Sequence, residues 1–343
     1  MQTTPQAGSS FFKYLQIIFF TLIILYFGKV LFVPLFFGLL IAIVMYPVCK
    51  WLELHGCSRA IAIAACLLIV TVLIAALVLL VIWQLKVFSA DAPGIIKKLE
   101  TQLQQLANWV GANTDIQTAS WDNVYQQLFL SAAGSLKAAA QTIFTGLVTF
   151  LLVPVYTALF MYHRNVLVEY VRLLTPEKSR AELNKVMVQV VHTYFNYIKG
   201  MVLVYIIVGI LNSIGLFLLG VQHPILYGML CAVMTIIPYI GIILSALLPV
   251  TSVWMDTGNI WYPVAVVLLF TFVQYLEANV IFPKVVGKQL HINTLSTLVA
   301  IIAGGVIWGV EGMILFIPFV AILKIASDHI EEWKPLNLLL GRT

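Results

Sequence analysis

Gln274, Glu277 and Asn279 stand near the end of an otherwise apolar run, ahead of Pro283 and Gly287. A carboxyl inside hydrocarbon marks a functional site by default, because nothing there hydrates it. At about 100° per residue Gln274 and Glu277 share a helix face, and Lys284 returns to it two turns later. Asn279 points almost the opposite way unless the helix unwinds before Pro283. Such a set can bind a polar solute or a cation, or carry a proton on the carboxyl. The plainer alternative is an interfacial Glu whose head snorkels to water. Glu311 is a second candidate, facing a polar cavity or marking a helix break. It sits in Gly304-Gly305-Val306-Ile307-Trp308-Gly309-Val310-Glu311-Gly312, where Gly305 and Gly309 form a GxxxG that reads as close helix packing.

A third feature is a break. No Asp, Glu, Lys or Arg occurs between Lys199 and Asp256, and the stretch is interrupted at Ile237-Pro238-Tyr239-Ile240-Gly241. Pro removes a backbone donor and clashes with the preceding turn, and Gly relieves the local backbone. In lipid a freed backbone group needs an internal partner, so a broken helix there lines a cavity or packs on protein. Breaks of this kind are common at transporter substrate sites. Pro238, Tyr239 and Gly241 therefore join Gln274, Glu277, Asn279 and Glu311 as candidates for a solute or ion pathway.

Other chemistries find no support. The sequence has no HExxH, no GxSxG, no phosphate-binding Gly-Lys-Ser/Thr loop and no intramembrane aspartate pair. Cys49, Cys57, Cys66 and Cys231 form no CxxC and have no His at metal-ligand spacing, so neither a metal site nor a disulfide framework is expected. Cys66 and Cys231 read as small hydrophobes in apolar runs. His223 and His291 adjoin loop residues and read as interfacial. No catalytic residue and no cofactor is expected.

The elements that must position these residues are membrane spans. Of 343 residues, 62% are hydrophobic and 10% charged, against roughly 25% charged in soluble proteins. The net charge of +5 reports loop topology and not nucleic-acid binding, since no basic-aromatic patch accompanies it. Apolar segments at 11–27, 30–48, 60–85, 141–162, 194–219, 224–255, 260–282 and 294–323 give an all-α polytopic protein of about eight spans. Lys13 and the run to Phe27 resemble a signal peptide, but no clear cleavage site follows, and the segment reads as a retained first span. Segment 164–199 is basic and 87–140 slightly acidic, which places the former and both termini in the cytoplasm and the latter outside. Lys284 and Lys288 fall outside under this count.

Two stretches are amphipathic. In the 87–140 insert, Asp91 and Pro93 open a helix whose stripe is Ile95, Ile96, Leu99, Leu103, Leu106 and Val110. From Glu177 to Lys199, Leu183, Val186, Met187, Val190, Val191 and Tyr194 line one face. This second stretch reads as a cytoplasmic interfacial helix that turns into the next span at Tyr194-Phe195. The expected organisation is then 1–86 spans, 87–140 extramembrane insert, 141–163 span, 164–193 interfacial linker, 194–326 membrane core and 327–343 tail.

Residues 197–324 resemble the autoinducer-2 exporter family of bacterial multi-pass membrane proteins. The resemblance is carried by Tyr197-Ile198-Lys199-Gly200, Leu219-Gly220-Val221, Ile237-Pro238-Tyr239-Ile240-Gly241 and the order Gln274, Glu277, Asn279, Pro283, Gly287. Leu290, Gly304-Gly305, Gly309, Gly312 and Pro318 follow. Glu311 departs from the pattern, where an apolar residue is more usual. The resemblance implies a transport protein without its own ATPase, in the bacterial inner membrane. It implies export of a small polar, autoinducer-2-like solute, with sodium/proton antiport through an intramembrane Glu or a membrane scaffold as alternatives. It also implies a homo-oligomer, for instance a pentamer, with the lipid bilayer as partner.

Overall fold

The computed structural model describes residues 7–76, 78–80, 82–83, 86, 151–236, 240–286, 292–330 and 333–341. The insert 87–140, Pro238, Tyr239, Gly287 and His291 lie outside the described residues. The chain forms two compact units. One comprises Met1–Leu68, Thr149–Ile198 and Lys288–Thr343, and the other Ile69–Val148 and Lys199–Gly287. The protein is all-α and polytopic. Among the described residues, five helices are long and apolar enough to cross a membrane, or six if one bent pair counts as a span. Of the eight apolar runs, 224–255 and 294–323 each break into two helices, and 141–150 of the run 141–162 lies outside the described residues.

The first unit begins with α1 (Ala7–Phe27) and α2 (Lys29–Leu54). Next comes α3 (Arg59–Leu80), whose last residues pass into the second unit. α4 (Leu151–Tyr162) meets α5 (Arg164–Leu174) at a 67° bend. Helix α2 lies against α4 at Gly38, where an added Cβ would sit 2.6 Å from the Tyr156 Cβ. The buried Thr157 hydroxyl donates to Val153 O at 2.8 Å and to Gly38 O at 3.3 Å. The turn between α2 and α3 is fixed by charge. Arg164 reaches both oxygens of Glu53, at 2.8 and 2.6 Å. Arg59 donates to the last carbonyls of α4, those of Met161 and Tyr162. A cation at a helix C-terminus offsets the dipole there and satisfies orphan carbonyls.

Helix α6 (Arg180–Leu218) runs 39 residues without a break. The expected turn at Tyr194-Phe195 does not occur, since no Pro or Gly lies between Arg180 and Lys199 to end the helix. At 1.5 Å per residue α6 is about 58 Å long, well beyond a hydrocarbon core of about 30 Å. Its stripe Val186, Val190 and Tyr194 packs on Ala321 and Ile325, with Leu40, Ile43 and Val44. The Tyr194 hydroxyl donates to Pro318 O. The stripe is therefore partnered within the protein.

The apolar run 294–323 is two helices and not one span. α11 (Thr294–Trp308) and α12 (Val310–His329) meet at Gly309, whose φ of 71° and ψ of −143° suit glycine alone. Gly304 and Gly312 then face each other across the hairpin. A Cβ on Gly312 would lie 2.0 Å from Gly304 O, and one on Gly304 2.2 Å from Gly312 O. Gly305 only meets the tip of the Met313 side chain. The GxxxG of Gly305 and Gly309 is thus not the packing pair. Gly309 supplies the bend, and Gly304 and Gly312 supply the close approach. Trp308, buried in the same unit, donates its indole N–H to Leu25 O at 2.8 Å.

The C-terminal residues are tied down. In α13 (Lys334–Leu340), Asn337 donates to Asp328 Oδ1 at 2.8 Å. The buried Lys324 pairs with Asp328. Asn293 caps α11 by accepting from Ser296 N at 2.7 Å, while its amide donates to Leu339 O at 2.7 Å.

In the second unit the remaining part of α6 ends in a hydrogen-bonded glycine motif. Gly220 has φ 71°, Val221 N donates to Leu216 O at 3.1 Å, and Gly220 N donates to Phe217 O at 3.0 Å. That is the Schellman pattern, and Leu216 packs with Val221 beneath it. The Leu219-Gly220-Val221 motif is therefore a helix stop. α7 (Pro224–Met234) follows, with Pro at its first position, and α8 (Ile240–Thr257) comes after it. The run 224–255 is thus two helices. Gly241 lies so close to α7 that a Cβ would sit 1.7 Å from Met234 O. α9 (Trp261–Leu276) passes into a wide π turn (Glu277–Ile281) and then α10 (Phe282–Val285). Leu216, Val221, Tyr227, Cys231, Val253, Val266 and Phe270 form the core of this unit.

Candidate functional site

The second unit buries polar side chains among these apolar helices. Asn212 on α6 is 1% exposed, Ser245 on α8 0% and Glu277 at the start of the π turn 7%. Each is expensive in hydrocarbon unless paired. Asn212 and Ser245 meet at Cys231 on α7. Asn212 Nδ2 donates to Cys231 Sγ at 3.3 Å. The thiol also meets the Ser245 and Thr235 side chains and lies within electrostatic reach of Glu277. Thr235 Oγ1 donates to Cys231 O at 2.8 Å.

The pairing is incomplete. Glu277 Oε2 and Asn212 Oδ1 are both buried with no hydrogen-bond partner among the described residues. A buried acceptor left unpaired costs about 1–3 kcal/mol, and more for a charged group. Each of these two acceptors in the second unit can take a hydrogen-bond donor or a cation. Close backbone contacts shape the surroundings. A Cβ on Gly228 would meet Ser213 Oγ at 2.0 Å, and one on Gly200 would meet Val285 O at 3.2 Å. The second contact explains the glycine of Tyr197-Ile198-Lys199-Gly200, where α6 lies against the end of α10.

The expected residues separate into groups. Glu277 is buried and Gln274 half-buried, and Gly241 is buried at the α7–α8 approach. Asn279 is exposed, and its amide donates to Tyr275 O at 2.9 Å. Lys284 is exposed and does not share the Glu277 face. The reason is the π turn: its extra residue rotates everything beyond it out of the 3.6-residue register. Glu311 belongs to the first unit, half-buried in the first turn of α12, where a carboxylate complements the helix N-terminus. Sequence reasoning missed Asn212 and Ser245. The signal for Asn212 was present, an amide in a stretch free of charge, but a single polar residue has no spacing to read. Cys231 packs among apolar residues, as expected, and also joins the polar group.

Helices of crossing length define a polytopic membrane protein, and its second unit buries polar side chains with unmatched acceptors. The profile described as AI-2E family transporter matches residues 15–332, and the chain belongs to that family. Among its relatives is "Putative transport protein YrrI" of Bacillus subtilis (strain 168), 27% identical over 88% of this chain and 87% of the relative. "Putative transport protein YhhT" of Escherichia coli (strain K12) is 25% identical, covering 90% and 87%. "AI-2 transport protein TqsA" of the same strain is 24% identical, covering 92% and 90%.

Proposed function

We propose that the chain is a secondary-type transporter or facilitator that exports a small polar solute of autoinducer-2-like chemistry from the bacterial cytoplasm across the inner membrane. The observation that carries the reading is the buried group of Asn212, Cys231, Ser245 and Glu277 with its two unmatched acceptors. A hydroxyl-rich solute supplies the donors this group lacks, and replacing its hydration with fixed polar atoms is what a pathway in lipid requires. Gln274, Gly241, Pro238 and Tyr239 extend the proposed pathway. The name of the TqsA relative supports the solute class.

A second reading is sodium/proton antiport, favoured by the buried carboxyl of Glu277, whose Oε2 has no hydrogen-bond partner among the described residues. Purified protein in liposomes separates the two. Under the first reading, liposomes loaded with autoinducer-2 release it faster than protein-free ones, and a sodium gradient moves no protons. The reverse pattern supports the antiporter. Neither activity leaves a membrane scaffold.

A homo-oligomer accompanies the proposal. The first unit exposes Leu151, Leu173, Leu174 and Val166 widely, and the second Ile206, Ile210, Ile214 and Phe217 along one stripe of α6. Lipid or further copies of the chain would cover such faces. Mass photometry in nanodiscs is expected to give a multiple of the 38.2 kDa chain. A uniform monomer there and in mild detergent contradicts it.

A further inference from the structure

We propose that Asn279 is a positioning residue for Glu277: its side chain holds open the wide turn that sets the register of the following residues against the carboxyl. The proposal rests on the reading that Glu277 belongs to the transport pathway. It gives Asn279 a different role from a pathway-lining amide.

Three observations converge. First, Glu277–Ile281 is a π turn, and Phe282 N–H bonds Glu277 O, five residues back. Such turns are rare and are stable only where neighbouring groups favour them. Second, the Asn279 amide is committed to the backbone. It donates to Tyr275 O at 2.9 Å, four residues back, across the start of the turn. A side chain that bonds the carbonyl four residues earlier competes with the helical ladder and bends it. Third, Pro283 follows four residues after Asn279. It has no N–H for the Asn279 carbonyl, and its ring crowds that carbonyl in α geometry. Asn279 thus loosens the ladder from one side of the turn and Pro283 from the other.

The consequence is directional. Glu277 is 7% exposed, whereas Asn279, two residues on, is exposed. Glu277 itself stays in the α9 register, its N–H bonding Val273 O and Gln274 O, so a turn tightened to α geometry rotates the residues beyond it by about 100° relative to the carboxyl, since each residue turns the helix by that angle. The motif Gln274, Glu277, Asn279, Pro283 then reads as a carboxyl together with the two residues that set what lies beside it.

The test uses the full-length protein in liposomes and isotope-edited infrared spectroscopy. The Glu277 carboxyl band is identified by its loss in Glu277→Gln. Asn279→Leu, which has no donor, is expected to move that band and to lower transport. Asn279→Ala serves as a second donor-free variant where the larger side chain impairs folding. Asn279→Ser, whose hydroxyl can also bond a carbonyl four residues back, is expected to return the band toward its original position. A band unmoved by Leu or Ala overturns the proposal. So does a band moved as far by Ser as by Leu, which assigns the amide a direct contact of its own. Unchanged transport in Glu277→Gln defeats the pathway reading instead, and leaves the band comparison standing as a separate result.

Discussion

Gly312→Val is expected to yield no folded protein, while Gly305→Ala is expected to fold and express like the parent. The contrast follows from what each new carbon meets. At Gly312 the Cβ would lie 2.0 Å from the carbonyl oxygen of Gly304, a backbone atom that cannot rotate aside. Relief requires α11 and α12 to separate, which also opens the packing of Trp308 against Val33, Leu315 and their neighbours. Overpacking in a tolerant core costs about 1–3 kcal/mol, and a backbone obstacle raises that cost. At Gly305 the Cβ would lie 2.7 Å from Met313 Cε, the far end of a flexible side chain. Fluorescence-detected size exclusion of tagged variants checks both. A folded Gly312→Val with a collapsed Gly305→Ala restores the GxxxG reading of Gly305 and Gly309.

Arg164→Ala is expected to destabilise the first unit by about 1–3 kcal/mol, between the values for an exposed and a fully buried ion pair, since this pair is partly buried. The side chains of Arg164 and Glu53 are only 18% and 19% exposed, and the guanidinium engages both carboxylate oxygens. The loss strands a carboxylate beside the buried Cys49, whose thiol donates to Glu53 Oε1 at 3.5 Å. Much of the cost is that stranded charge and not the pair itself. The double variant Glu53→Gln with Arg164→Met is therefore expected to recover a large part of the stability. Thermal unfolding in detergent of the parent, Glu53→Gln, Arg164→Met and the double variant measures this. Additive losses would mean that the two side chains act independently.

The sequence reading succeeded where hydropathy and charge decide the outcome. The all-α membrane class followed from apolar runs, and the break after Met234 followed from Pro238 and Gly241. It failed where a single backbone angle decides. Residues 294–323 are apolar apart from Thr294, Ser296, Thr297 and Glu311, and their hydropathy does not mark the left-handed Gly309 that folds the run into a hairpin. The glycines there were legible as close-packing residues, but their pairing depends on the bend. Glu277 stood out because a carboxyl in an apolar run is costly. Asn212 and Ser245 reach Cys231 from separate helices, a proximity that only the fold creates. Lys284 was placed on the Glu277 face by a constant 100° step, and the π turn breaks that step. The tightness of α6 against α10 at Gly200 was equally invisible, although the motif containing it was recognised.

The central claim is that Glu277, within the buried polar group of the second unit, belongs to the pathway. Its most direct test is transport by Glu277→Gln in the same liposomes, with the elution profile confirming a folded protein. Gln keeps the size and polarity of the side chain but cannot carry a proton or a negative charge. Autoinducer-2 release should fall clearly below that of the parent, and any sodium-driven proton movement should vanish. A folded Glu277→Gln that transports at the parent rate would contradict the account and leave Glu277 a structural carboxyl.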